Sequence, residues 1–126
     1  MNAWLAFLTV CVAGGIGAVA RYGLQRALPE AGRGIPRAVL TVNLAGSLIS
    51  GVALALMLGG VLNATLATIV ISGLCGGLTT FSTFAVETME LFRVNASKPA
   101  YLNIVISVVG GIVLAVVGFV VTRSLL

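Results

Sequence analysis

The amino-acid sequence predicts an all-α membrane protein with four transmembrane helices, the third of which is broken near its middle. Hydrophobic residues make up 60% of the 126 residues and charged residues 8%, whereas soluble domains carry about a quarter charged residues. Four apolar segments are each long enough to cross about 30 Å of hydrocarbon. We predict these spans, within a single domain, at about residues 3–28, 38–60, 64–92 and 100–126.

The inventory of ionisable residues argues against several classes of function. The net charge is +4 and the chain has no histidine, so we expect no enzymatic activity. The basic residues are scattered over loops and helix ends, unlike the single basic face of a nucleic-acid-binding protein. Cys11 and Cys75 both lie within apolar segments. We expect both to be packing residues, because a zinc or disulfide framework needs more ligands or an extracellular setting.

The first two segments each place small or polar residues on one helical face. In the first segment, Gly14, Gly17 and Arg21 recur at helical spacing, and small residues on one face let another helix approach closely. Arg21 either extends to the membrane interface or is paired inside the protein. In the second segment, Asn43 is unfavourable to bury unless it is hydrogen-bonded. It either links helices or lines a pore.

The third segment contains the most unusual stretch of the chain, residues 73–87. As one straight helix, residues 64–92 would be about 43 Å long at 1.5 Å per residue, which exceeds the hydrocarbon core. The stretch combines a glycine pair, four hydroxyl residues, two phenylalanines and a carboxylate: Gly76, Gly77, Thr79, Thr80, Ser82, Thr83, Phe81, Phe84 and Glu87. Non-helical backbone at membrane depth survives only where it is buried in protein or faces water. We therefore predict a functional helix break between Gly76 and Thr80.

The polar side chains of these segments suit a small anion. Hydroxyl and amide groups donate hydrogen bonds, whereas a metal cation would want several carboxylates. An aromatic ring has a positive edge, so Phe81 and Phe84 turned edge-on would flank an anion weakly enough for it to leave, as conduction requires. The alternative for both rings is simple packing. Glu87 is either functional, as an intramembrane carboxylate generally is, or interfacial and paired with an arginine.

The distribution of basic residues predicts the orientation of the chain. With four spans, both termini lie on one side of the membrane, and the first and last loops lie on the other. The loop side has five basic residues: Arg26, Arg33, Arg37, Arg93 and Lys98. The terminal side has Arg123 alone, so the positive-inside rule places the termini outside.

Two motifs together resemble the Fluc (CrcB) family of fluoride ion channels. One is the run Gly-Leu-Cys-Gly-Gly-Leu-Thr-Thr-Phe-Ser-Thr-Phe at residues 73–84, and the other is Val-Asn-Leu-Ala-Gly-Ser at residues 42–47. The resemblance extends over essentially the whole chain. It implies a fluoride-selective channel in the cell (inner or plasma) membrane that exports cytoplasmic fluoride passively and protects the cell from fluoride toxicity. It also implies an antiparallel, dual-topology dimer with two pores at its interface, either a homodimer or a heterodimer with an oppositely oriented paralogue.

The resemblance also implies roles for individual side chains. Phe81 and Phe84 would line the pores, and Asn43 would be the amide donor beside them. The polar track that fluoride follows would comprise Ser82, Thr83, Asn103 and Ser107. Glu87 would lie close to this track, and Arg21 would lie near a pore mouth.

A structural sodium ion (Na+) at the dimer axis is a further implication of the resemblance. The backbone carbonyls of Gly76 and Thr79 would hold it, which fits the expectation that a helix break frees carbonyl groups. Three positions lack a hydroxyl that the family usually carries: Val39, Gly111 and Ala115. The strong bias of basic residues to one side also departs from the near balance expected of a dual-topology homodimer.

The alternative function is that of a small multidrug-type, proton-coupled exporter, which also has four helices. That chemistry requires an unpaired glutamate in the first helix, and the first segment of this sequence has none.

Overall fold

The computed structural model describes residues 2–28 and 32–126, and this part of the chain is helical outside its short connections. Within it, four helical spans are long and apolar enough to cross a membrane. Their bounds are Ala3–Ala27, Arg37–Leu58, Ala64–Arg93 and Ser97–Leu125. The prediction of four spans is confirmed, and the chain is a multi-pass membrane protein. The largest difference in bounds is at the fourth span, which begins at Ser97 rather than at residue 100.

The third span is interrupted, as the sequence predicted. We name the helices α1 (Ala3–Ala27), α2 (Arg37–Leu58), α3 (residues 64–78), α4 (Phe81–Arg93) and α5 (Ser97–Leu125). Thr79 and Thr80 separate α3 from α4 and have extended backbone. α3 and α5 each contain a π-helical stretch, at Ile69–Cys75 and Ile106–Gly110. Such stretches are frequent at functional sites.

Asparagine side chains cap the N-terminal ends of α1 and α3. Asn2 Oδ1 accepts a hydrogen bond of 2.9 Å from the N–H of Leu5, and Asn63 Oδ1 accepts one of 2.9 Å from the N–H of Leu66. An oxygen at this position satisfies an N–H group of the first helical turn that has no partner within the helix. Because successive spans alternate in direction, both capped ends lie at the terminal end of the bundle.

α1 and α3 pack with their backbones in direct contact. A Cβ atom added to Gly77 would overlap the carbonyl oxygen of Gly14, and one added to Gly17 would overlap that of Leu74. The small face that the sequence places on the first helix is therefore the surface on which the third span packs. Such close approach lets dispersion forces act between helices that gain nothing from the hydrophobic effect in lipid.

α2 and α5 form a second close pair. A Cβ atom added to Gly51 would overlap the carbonyl oxygen of Ala115, and one added to Gly118 would lie 2.7 Å from that of Leu48. α3 also contacts α2, and α4 contacts α5. The bundle thus consists of two tight helix pairs that meet along the third span, and the break lies where they meet.

We expect Gly77→Ala to destabilise the protein by about 1–3 kcal/mol, because the added methyl group would force α1 and α3 apart. Gly15→Ala is the matched control, since a Cβ atom at Gly15 meets nothing within 4 Å. Thermal unfolding in detergent, followed by circular dichroism, measures both variants. Equal unfolding midpoints for the two would contradict direct backbone contact between these helices.

Candidate functional site

Asn43 of α2 holds the break in the third span. The N–H of Thr80 donates to Asn43 Oδ1 at 2.8 Å, and Asn43 Nδ2 donates to the carbonyl oxygen of Thr80 at 3.0 Å. One side-chain amide therefore satisfies both polar groups of a residue whose backbone is not helical. Such satisfaction is required at a depth where lipid offers no hydrogen bonds.

The break changes what the neighbouring carbonyl groups bind. In a continuous helix the N–H of Thr80 would donate to the carbonyl oxygen of Gly76, but here it donates to Asn43. The carbonyl oxygen of Thr79 accepts a hydrogen bond of 3.3 Å from Arg21 Nη1. Of the two alternatives for Arg21, the structure shows the internal contact.

Hydroxyl groups form hydrogen bonds at the N-terminal end of α4. Thr80 Oγ1 accepts the N–H of Thr83 at 3.3 Å, and it lies 3.1 Å from Thr83 Oγ1 and 3.3 Å from Ser82 Oγ. Thr79 Oγ1 instead donates to the carbonyl oxygen of Cys75 at 2.9 Å. α4 consequently begins halfway along the span, and the positive end of its dipole lies there.

A groove of about 300 Å³ opens on the protein surface beside the break. It is lined by residues of α2, the break, α4 and α5: Asn43, Ser47, Thr79, Thr80, Phe81, Phe84, Ser107 and Val108. The ring centroids of Phe81 and Phe84 are 5.8 Å apart, and the ring planes are inclined by 46°. Phe81 is 80% exposed, so its ring projects from the subunit. The structure thus brings together four of the residues predicted for the fluoride pore, Asn43, Phe81, Phe84 and Ser107, and Thr79, which was predicted to hold sodium.

Two other predicted residues of α4, Thr83 and Glu87, are four residues apart and therefore share one face of the helix. Both line a second cleft with the end of α1 and the start of α2, whose contributing residues are Gln25, Leu28, Pro36, Arg37 and Ala38. Glu87 also lines an adjoining cleft with Glu90 and Arg93. Glu87 is half-buried, and Arg37 and Arg93 place these clefts at the loop end of the bundle.

Ser82 and Asn103 lie outside the groove. Ser82 is exposed in the first turn of α4. Asn103 on α5 is 1% exposed, and its Nδ2 donates to Thr88 Oγ1 at 2.9 Å. That hydroxyl in turn donates to the carbonyl oxygen of Phe84 at 2.7 Å. A role for Asn103 in contact with fluoride stays a prediction, whereas its bond to Thr88 links α5 to α4 directly.

Sequence reasoning missed Ser47 and Thr88. Ser47 lies one helical turn after Asn43, so it shares a face with it, and this spacing was a sufficient signal. Thr88 gave no such signal, because its importance depends on which residue of α5 it meets.

We expect Thr88→Val to lower the stability of the protein by about 1–3 kcal/mol, because the buried Asn103 amide would lose its hydrogen-bond acceptor. Thr88→Ser keeps the hydroxyl and is the matched control, which should lose less stability. Thermal unfolding of both variants in detergent tests this. If the valine variant proved as stable as the serine variant, the Asn103–Thr88 bond would contribute nothing.

Comparison with known proteins establishes the family. Residues 8–119 match the family described as "CrcB-like protein, Camphor Resistance (CrcB)". The chain is 40% identical over 115 residues to the fluoride-specific ion channel FluC of Pyrococcus furiosus, covering 90% of this chain and 93% of that protein. It is 38% identical over 115 residues to the fluoride-specific ion channel FluC 2 of Rhodococcus jostii, covering 91% and 96%. The resemblance seen in the sequence motifs is confirmed, and the chain belongs to the CrcB-like protein family.

Proposed function

We propose that this chain is a fluoride-selective channel, not an enzyme, which lets cytoplasmic fluoride leave the cell passively and so protects it from fluoride toxicity. Hydrogen fluoride that enters from an acidic medium would dissociate inside, and the channel would release the anion. One observation carries the proposal. Hydroxyl and amide groups, the start of a helix and an aromatic pair meet in one groove, in a chain whose relatives are named fluoride-specific ion channels.

The electrostatics of the groove favour an anion. The carbonyl oxygens of Thr79 and Thr80 would repel one, but each accepts a hydrogen bond from a neighbouring helix. α4 begins at Phe81, which lines the groove, so the positive end of the helix dipole lies beside it. None of the residues that line the groove carries a negatively charged side chain.

The groove also offers hydrogen-bond donors that can replace the water bound to fluoride. Fluoride is small and strongly hydrated, so hydrogen-bond donors must replace the water molecules that it loses. A carboxamide nitrogen has two N–H groups, and Asn43 uses one of them on Thr80, which leaves the other for the ion. Phe81 and Phe84 add positive ring edges. Several weak sites in sequence let an ion move on instead of remaining bound.

We further propose that two subunits form an antiparallel, dual-topology dimer with two pores at its interface. The exposure of Phe81 and the open side of the groove support this, because a groove that faces lipid cannot conduct an ion. A second subunit would close it. We favour a homodimer in the cell (inner or plasma) membrane. The bias of basic residues to the loop side keeps a heterodimer with an oppositely oriented paralogue as the alternative.

We also propose that the backbone carbonyl groups of Gly76 and Thr79 contribute to a structural sodium site at the dimer axis. The carbonyl oxygen of Gly76 lacks its usual helical donor, because the N–H of Thr80 donates to Asn43 instead. The carbonyl oxygen of Thr79 has two lone pairs, one of which accepts the bond from Arg21. The guanidinium opposes a nearby cation, so we propose that carbonyl groups of both subunits are needed. The ion would neutralise their dipoles and support assembly.

A proton-coupled exporter of small multidrug type is not favoured. Such an exporter requires an unpaired glutamate in its first helix. α1 contains neither glutamate nor aspartate. Its Arg21 side chain is half-buried and donates to the carbonyl oxygen of Thr79.

The proposal is tested by fluoride efflux from liposomes that contain this chain alone, with chloride efflux measured in parallel. We expect rapid fluoride loss without chloride loss. A well-folded dimer that released no fluoride would contradict the channel function. A chain that stayed monomeric and inactive, but conducted fluoride once a paralogue was added, would establish the heterodimer.

We expect Phe81→Ile and Phe84→Ile, made together, to reduce fluoride efflux at least about tenfold, which corresponds to about 1.4 kcal/mol in the barrier. The substitution keeps an apolar side chain but removes the positive ring edge. Phe7→Ile is the matched control, because Phe7 is 60% exposed on α1 and lies away from the groove. Unchanged efflux in the double variant would disprove the role of the ring edges.

A further inference from the structure

One face of α1 is exposed along the helix and has an aromatic side chain near each end. Trp4 is 78% exposed and Tyr22 is 59% exposed. Between them, exposed apolar side chains recur at helical spacing: Leu8, Val12, Ile16 and Val19. The 18 residues from Trp4 to Tyr22 span about 27 Å at 1.5 Å per residue, close to the hydrocarbon thickness of a bilayer. Because tryptophan and tyrosine favour the membrane interfaces, this face suits contact with lipid, with Tyr22 at one interface.

Arg26 lies one helical turn beyond Tyr22, about 6 Å further along the axis and hence at the level of the lipid headgroups. Its Nη1 donates to the Tyr22 hydroxyl oxygen at 3.2 Å, and its guanidinium carbon lies 5.8 Å from the centroid of the Tyr22 ring. Within residues 2–28 and 32–126, Tyr22 is the one hydrogen-bond partner of this guanidinium. The other guanidinium N–H groups and the O–H of Tyr22 therefore remain able to donate to a ligand.

The charge at this end of the bundle favours an anionic ligand. Five basic residues and three acidic residues of the sequence belong to the loop end. Basic side chains near a membrane surface attract anionic lipids. A zwitterionic phospholipid carries a cation next to its phosphate, which would oppose the guanidinium, so an anionic phospholipid fits better.

An apolar groove of about 340 Å³ continues along the same face of α1. It is lined by Leu8, Thr9, Val12, Ala13 and Ile16. Ile16 is ten residues from Arg26, which is about 15 Å along the helix axis and about half the thickness of the hydrocarbon core. A lipid whose phosphate lies at Arg26 would therefore bring the end of an acyl chain to this groove.

We propose that Arg26 and Tyr22 bind the phosphate of an anionic phospholipid, whose acyl chain follows the exposed face of α1. A guanidinium presents pairs of N–H groups in a planar geometry that matches two phosphate oxygens, and the Tyr22 hydroxyl donates to the same phosphate. Neither residue lines the groove that contains Asn43 and Phe81. The bound lipid therefore stabilises the folded protein by mass action without entering the proposed ion path.

Native mass spectrometry of the full-length protein in detergent, titrated with phosphatidylglycerol or with phosphatidylcholine of the same acyl chains, measures the binding of single lipids. We expect the unaltered protein to bind phosphatidylglycerol about fivefold more tightly, the factor that one basic side chain near an anionic lipid supplies. Arg26→Gln should remove most of this preference, and Tyr22→Phe, which keeps the ring but loses the hydroxyl, should reduce it about twofold or more. Circular dichroism and size-exclusion chromatography establish that each variant is folded.

Lys98→Gln is the matched control, because Lys98 is exposed at the same end of the bundle and its loss changes the net charge equally. This variant should keep the preference for phosphatidylglycerol. An equal loss in the Arg26→Gln and Lys98→Gln variants would overturn the site, because net charge would then explain the binding. Equal affinity of the unaltered protein for the two lipids would also overturn it.

Two further outcomes would assign this face to another occupant. Displacement of bound phosphatidylglycerol by an equal concentration of inorganic phosphate would indicate a site for a soluble anion and would overturn the lipid site. Retention of the lipid by the monomer but not by a dimer would show that a second copy of the chain covers this face, and it would overturn the proposal as well.

Discussion

The paired hydrogen bonds between Asn43 and the backbone of Thr80 are the interaction on which the rest of the structure depends. An extended residue inside a membrane leaves an N–H and a carbonyl without helical partners, and lipid cannot supply them. Asn43 satisfies both groups at 2.8 and 3.0 Å. Because the break is satisfied, α4 can begin in the middle of the span, and Phe81 and Phe84 can line a groove instead of continuing a lipid-facing helix.

The two halves of the third span are held by different means. The first half packs backbone to backbone, through Gly77 and Gly17. At the break and beyond it, polar side chains from three other helices reach the span: Arg21 of α1 bonds to Thr79, Asn43 of α2 to Thr80, and Asn103 of α5 to Thr88. Close packing gives the first half rigidity, and directed hydrogen bonds fix the position of the second half, where the groove lies.

The sequence was most informative where one physical constraint acts on a local stretch. Excess length, glycines and hydroxyls were enough to predict the break, and small residues at helical spacing predicted the tight face of α1. The contacts of Asn103 could not be predicted, because they depend on how α5 is rotated against α4. The π-helical stretch at Ile69–Cys75 has no signature in the sequence. Asn43 links two helices, which is one of its two alternatives, and it also lines the groove. Its role as a donor that lines a pore stays a prediction.

The caps of α1 and α3 bear on how the chain enters the bilayer. Acidic side chains often cap the N-terminal ends of helices, but the caps of α1 and α3 are the uncharged side chains of Asn2 and Asn63. In the part of the chain that the structure describes, Arg123 is the one basic side chain at that end. Reversing the insertion of a subunit therefore moves few charges at the capped end, and the orientation predicted from the basic residues depends on the arginines and the lysine of the loop end. Natural or engineered substitutions that reverse the orientation of the subunit in the membrane should therefore be found among the basic residues of the loop end.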